Sequence, residues 1–267
     1  MDVGASAINE KPIYKMLLDK QLGHLNAFEG DERQIEGIRN AFGAQVTIFE
    51  DFLYDGKDAT VYLTHPESGM TSLLPPSIRA LRFFNGFEGF GRVENTSVVQ
   101  TKRLDDVSNL APIDFLKMDI QGAELTVLQN GPDSLRNCVA IQLEVSFINL
   151  YENQPSFGDL DLWMRSNGYV PHRFMDVKRW SITPTIFDNN FRIPGNQLLE
   201  ADIVYIKNPL NLQALTSLQI KKLIALSHYC FGSIDLCVFL LLELERRALI
   251  EKDCHKQYLA NLSSSAF

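Results

Sequence analysis

Cysteine is scarce in this chain. Its 267 residues hold four, Cys138, Cys230, Cys237 and Cys254. Their spacing fits no zinc pattern, and Cys138 sits inside an apolar run. They read as reduced, mostly buried thiols of a cytoplasmic protein. A long run of Lys or Arg is missing, and the net charge is −8. Such a surface offers no footprint for DNA or RNA and argues against docking on an anionic membrane. Long apolar runs are missing as well. The longest, Leu236-Cys-Val-Phe-Leu-Leu-Leu242, has seven residues, far below the ~20 of a membrane-spanning helix. Residues 1–15 lack the basic start and apolar core of a signal peptide.

What is present is a globular composition, 45% hydrophobic and 22% charged, patterned as alternating strands and helices. A helix is expected from Asn9 to Gln21, with Ile13, Met16 and Leu17 on one face. Leu25-Asn-Ala-Phe-Glu29 reads as a strand. Asp31 caps the helix after it, with Ile35 and Ile38 facing inward. Val46 to Glu50 is the next strand. This rhythm predicts an α/β fold with a doubly wound, mostly parallel sheet.

Between Asp55 and Val107 the rhythm breaks. Ala59 to Thr64 and Val93 to Thr101 read as strands, the first alternating like an antiparallel one. They flank an irregular segment, Ser68 to Pro76 and Arg82 to Phe90. A long loop inside a compact domain is commonly a lid or a binding loop. The parallel pattern resumes at Phe115 to Asp119, Val139 to Val145 and Tyr169 to Asp176, with a helix near Gly158 to Ser166. Asp202 to Ile206 is expected to be the one antiparallel strand. Residues 210–267 read as a C-terminal helical appendage to a domain spanning 1–209. Its stripes are Ile220, Leu223, Ile224 and Leu226, then Phe239, Leu242 and Leu244. Broad stripes of this kind pack on the domain or join copies of the chain into a homo-oligomer.

Acids fall at the ends of three strands. In open α/β sheets ligands bind outside the carboxyl ends of the strands. Asp2-Val-Gly-Ala5 supplies a glycine turn after the first strand, where Gly4 admits close approach by a ligand and Asp2 can order its polar end. Glu29 lies about 25 residues further on, suited to accept hydrogen bonds from ribose hydroxyls. Asp51 follows the third strand and can accept an adenine amino group, as can a nearby backbone carbonyl. Asp119 ends the strand that opens onto Gly122. Glu124 either serves the site or binds the start of its helix. Glu144 stands inside the apolar strand Ile141 to Phe147, where a charge is buried, paired or part of a site. Asp119 and Glu144 are the candidate catalytic carboxylates. As oxygen donors they also leave Mg²⁺ open, although no metal ligand set is assigned. His65 and His172 are weaker candidate bases.

The string Leu116-Lys-Met-Asp-Ile-Gln-Gly-Ala-Glu124, running on to Asn130-Gly131, resembles the signature of FkbM-type S-adenosylmethionine-dependent methyltransferases. Asp2 to Ala5 is similar to that family's first motif, and Ala27-Phe-Glu-Gly-Asp31 to its ribose motif, with Gly30 where proline is usual. Arg103-Leu-Asp-Asp-Val107, Gln142 to Phe147, Leu150 to Pro155 and Leu199 to Val204 also match, in order.

The resemblance implies a class I, Rossmann-like methyltransferase fold. It implies S-adenosylmethionine as cofactor and methyl transfer to a hydroxyl of a sugar or secondary metabolite. By position it implies Asp2 and Gly4 at the cofactor, Glu29 at its ribose and Asp119 near the methyl group; Ala5, in the same turn, and Asp51, from its place after the third strand, complete the expected cofactor contacts. Two departures stand out. Ser6-Ala-Ile-Asn9 replaces the usual asparagine and second glycine, and the first strand is expected to be truncated before Asp2. A degenerate, non-catalytic module of a larger protein is the reading these departures favour. A nicotinamide-dependent oxidoreductase is disfavoured, because G-x-G-x-x-G is absent after the first strand.

Overall fold

The computed structural model describes residues 1–5 and 12–265. Its strands are β1 (Asp2–Val3), β2 (Leu25–Phe28), β3 (Val46–Phe49), β4 (Phe52–Leu53), β5 (Asp58–Leu63), β6 (Asn95–Lys102), β7 (Phe115–Met118), β8 (Ala140–Ser146), β9 (Tyr169–Trp180) and β10 (Gln197–Lys207). Its helices are α1 (Lys15–Asp19), α2 (Glu32–Phe42), α3 (Ile78–Phe83), α4 (Phe87–Phe90), α5 (Glu124–Gln129), α6 (Phe157–Ser166), α7 (Ser217–Leu226), α8 (Ile234–Arg246) and α9 (Cys254–Ser265).

Seven strands form the main sheet, in the order β3-β2-β1-β7-β8-β10-β9. Strands β1, β2, β3, β7 and β8 are parallel, and β10 runs antiparallel to both neighbours. This is the predicted doubly wound sheet with one reversed strand. The chain winds outward from β1 to β3, then returns to the other side of β1 with β7. The boundary between β1 and β7 is therefore the switch point, where such sheets open a crevice. Strand β1 is two residues long yet pairs on both sides, Val3 with Phe28 and with Met118.

Alternation along the strands sends their side chains to two cores. On one face Ala27, Phe115, Ala140 and Val204 join Ile220, Leu223, Phe231, Leu236 and Leu240. Helices α7 and α8 thus share one apolar cluster with the sheet. On the other face Val3, Phe28, Leu116, Met118, Ile141 and Leu143 meet Val127, Leu128, Leu160 and Met164 of α5 and α6. Each fully buried Leu, Ile or Phe in these layers contributes about 1.5–3 kcal/mol.

Two helices differ from expectation. Only Lys15–Asp19 of the expected Asn9–Gln21 segment is helical among the described residues, and residues 6–11 lie outside them. Tyr14 and Leu18 carry its burial, whereas Met16 is exposed. On α8 the inward stripe is Leu236, Cys237, Leu240 and Leu244, while Phe239 and Leu242 stand about half exposed at 46% and 44%. In a run where every residue is apolar, hydrophobicity cannot fix the register. The i, i+4 rows settle it by packing. Helix α2 matched its pattern, with Asp31 accepting from the Arg33 N–H and Ile35 and Ile38 buried.

A smaller sheet has the order β4-β6-β5. Strand β5 pairs antiparallel with β6, as its alternation implied. All four cysteines are free, three of them buried.

Candidate active site

A cleft of about 870 Å³, its open mouth included, lies at the carboxyl ends of β1, β2, β3 and β7. Its floor is built from the turns that leave these strands: Val3-Gly4, Phe28 to Asp31, Asp51 to Leu53 and Asp119 to Gln121. Its outer wall is Pro66, Gly69 and Thr71 to Leu73. The irregular segment thus divides. Its first half walls the cleft. Its second half, including Phe84, Phe87 and Phe90, packs against Trp180 in a separate aromatic cluster.

Gly4 takes φ +76°, and a β-carbon there would stand 2.0 Å from the backbone oxygen of Asp119. No other residue fits. Its N–H donates to the Phe28 carbonyl at 3.0 Å. The first turn is thereby pinned between β2 and β7. Gly30 has a local reason too: a β-carbon would lie 2.4 Å from the ring of Phe52, which covers it. The glycine standing where proline is usual makes room for an aromatic wall.

Glu29 is half-buried on the cleft floor, with Oε1 accepting from the Asp31 N–H at 2.9 Å. Burial pushes its carboxyl up to about 7, and the nearby charges of Asp31 and Asp2 add to this against the backbone donors. Asp51 also lines the cleft and is held by Lys102 at 2.9 Å.

Asp2 and Ala5 are placed differently. Both are buried and neither lines the cleft. The Asp2 carboxylate accepts from the Tyr14 hydroxyl at 2.5 Å and stands 3.5 Å from Lys117 Nζ. Ala5 packs into the helix-side core. Ser6 to Asn9, where the sequence departs from the usual first motif, lie outside the described residues.

At the other end of the cleft stands Asp119. Its Oδ1 accepts from Gln121 Nε2 at 2.8 Å, and the same amide donates to Glu144 Oε2 at 2.9 Å. Glu144 lies behind Gln121, off the cleft wall, with Lys178 Nζ 3.8 Å away. Burial first, then the charges of Asp119 and Glu200, holds Glu144 well above the usual carboxylate range. Glu124 takes the structural role. Fully buried, it accepts from the Ile120 and Gly122 N–H groups at 3.0 and 3.2 Å and closes the turn into α5.

His65 and His172 do not line the cleft; His172 instead pairs with Ser233 Oγ at 2.6 Å. Among the described residues no group of three or more His, Cys, Asp or Glu is arranged to hold a metal ion. No described helix is long and apolar enough to cross a membrane.

Sequence reasoning did not single out Gln121, Tyr151, Ser72 or Phe52. Tyr151 donates to Gln121 Oε1 at 2.7 Å, and Ser72 Oγ donates to the Gln121 carbonyl at 2.7 Å. The one cue in the sequence was Gln121's position between a strand-end acid and Gly122.

The methyltransferase FkbM domain model matches residues 2–171. The chain belongs to the FkbM methyltransferase family. That family is one of methyltransferases. The 2-O-methyltransferase NoeI of Sinorhizobium fredii is 30% identical over 172 residues, 61% of this chain and 69% of that protein. Among solved structures, methyltransferase FkbM from Methylobacillus flagellatus is 12% identical, with a TM-score of 0.41 over 77% of this chain. The chain spans 42% of that structure's length. A Streptococcus pneumoniae protein, provisionally described as a tRNA (m1A22) methyltransferase and solved with S-adenosyl-L-methionine, is 11% identical. Its TM-score is 0.34, and the match covers 93% of this chain and 91% of that one.

Proposed function

We propose that the chain is an S-adenosylmethionine-dependent O-methyltransferase acting on a hydroxyl of a sugar or secondary metabolite. The observation that carries this reading is one cleft at the switch point, bounded by the Gly4 turn, Glu29 and Asp119. A left-handed glycine against a carbonyl makes a cradle that backbone alone can line. Glu29 offers two oxygens to the ribose hydroxyls. Asp51 stands where it can accept the adenine amino group, beside the ring of Phe52. Asp2 and Ala5 act from behind the turn: Asp2, anchored by Tyr14 and Lys117, orders β1 and hence Gly4.

When bound, S-adenosylmethionine supplies an electrophilic methyl group on sulfur, which leaves as a neutral thioether. Asp119 is the acid nearest that end in this reading. Its Oδ2 makes no hydrogen bond to the described residues, so it is available to take the proton that the acceptor oxygen loses as the O–CH₃ bond forms. Glu144 supports it through the shared amide of Gln121. The 2-O-methyltransferase relative supports oxygen as the accepting atom.

The test is conversion of S-adenosylmethionine to S-adenosylhomocysteine with a panel of sugars and hydroxylated metabolites. Turnover with at least one hydroxyl acceptor, lowered roughly 10²–10⁴-fold in Asp119→Asn at unchanged melting temperature, is the expected result. Full activity in that variant removes Asp119 from proton transfer.

A further inference from the structure

The Gln121 side chain, on the cleft wall, bonds three other side chains. Its Nε2 donates to Asp119 Oδ1 and to Glu144 Oε2 at 2.8 and 2.9 Å. Its Oε1 accepts from the Tyr151 hydroxyl at 2.7 Å. Its carbonyl accepts from Ser72 Oγ at 2.7 Å. The orientation of the amide follows from its partners. Two carboxylates offer only acceptors, so the –NH₂ must face them and the oxygen must face the hydroxyl. The backbone of Gln121 takes φ +57°, a left-handed conformation uncommon outside glycine. Four hydrogen bonds hold it there, and such outliers cluster where a side chain must be aimed.

The setting explains what the amide is for. Asp119 and Glu144 would repel one another if both were ionised and unbridged. Facing Glu144 are Asp119, Glu124, Glu200, Lys178 and Tyr151. Lys178 spends its closer contact, 2.8 Å, on Glu200. The bridging donor between the two candidate catalytic acids is therefore Gln121. A bridge on Oδ1 fixes the carboxylate plane of Asp119 and leaves Oδ2 for the cleft.

We infer that Gln121 is a positioning residue: its single amide, oriented by Tyr151, aims the Asp119 carboxylate at the methyl-transfer end of the cleft. The inference rests on the cofactor reading above. It further implies that the outer wall of the cleft is registered to the same point. Ser72 bonds the Gln121 carbonyl, and Tyr151 also contacts the Met70 carbonyl at 3.2 Å.

The test compares two cofactor analogues by calorimetry. S-Adenosylhomocysteine lacks the transferable methyl; sinefungin carries an amine in place of the methyl-bearing sulfonium. An aimed Asp119 favours the amine, as a charge-assisted hydrogen bond, by ~10- to 100-fold. Gln121→Met keeps length and removes the donor. It is expected to leave S-adenosylhomocysteine affinity within about twofold and to cut the preference for sinefungin roughly tenfold. Tyr151→Phe should move the ratio the same way by less, and it decides the matter if Gln121→Met does not fold. A sinefungin preference unchanged in both variants overturns the inference. So does equal loss of both ligands, which marks Gln121 as a structural brace only. Wild-type protein that binds neither analogue overturns the cofactor reading itself.

Discussion

Gly4 and Asp119 meet backbone to backbone at the switch point. The Gly4 α-carbon is turned so that any side chain would strike the Asp119 carbonyl, 2.0 Å away. One contact thus joins the first turn of the chain to the end of β7 and sets the floor of the cleft.

Gly4→Ala should therefore be damaging twice over. A left-handed alanine costs about 1–2 kcal/mol, and the overlap forces β1 and β7 apart. The expected outcome is a lowered melting temperature together with lost S-adenosylhomocysteine binding. A variant that binds normally would mean that the turn is not part of the site.

Glu29 predicts a pH dependence with a definite sign. Its carboxyl is pushed up to about 7 in the fold, against an ordinary value of about 4.3. Below about 4.3 the group is neutral in folded and unfolded chains alike. Between about 4.3 and 7 the unfolded chain ionises here while the folded chain keeps its proton, so ligand-free stability from this group falls across that window and levels off above about 7. Ribose hydroxyls donate best to the ionised acid. Affinity for S-adenosylhomocysteine should therefore tighten by up to ~10-fold between about pH 6 and 8, and Glu29→Gln should flatten the profile. Calorimetry at the two pH values checks both.

Glu124 should behave as a structural acid. Replacing it with alanine strands the buried N–H groups of Ile120 and Gly122, at a cost of about 2–4 kcal/mol in stability. Denaturant titration reads this directly. A stability change under about 0.5 kcal/mol would show that water replaces the carboxylate there.

Adjacent residues on α8 give a matched pair. Leu240 is fully buried and Phe239 is 46% exposed. Leu240→Ala should cost about 2–5 kcal/mol, and Phe239→Ala about 0.5 kcal/mol or less. Equal losses that depend on protein concentration would place Phe239 in a contact between copies.

The fold was legible because apolar period and strand-end acids coincide. Leu25 to Glu29 and Phe115 to Asp119 each show a buried run stopped by a carboxylate, and both acids reached the cleft. Asp2 did not, because its position on a two-residue strand turns it to the helix side, beside Tyr14 and Lys117. No local pattern encodes which face such a short strand shows. The amide bridge was hidden for another reason. Tyr151, Lys178 and Glu200 reach Gln121 and Glu144 across 30 to 56 positions of chain, through pairings that only the assembled sheet creates. Gly30 was visible as a departure, but its reason, the ring of Phe52, was not.

The most direct test is a calorimetric titration of the wild-type chain with S-adenosylhomocysteine, repeated on Glu29→Ala. The account predicts one site per chain, weakened by about 1–3 kcal/mol in the variant as the ribose loses its acceptor. No binding by the wild-type chain, or equal affinity in the two proteins, would contradict it.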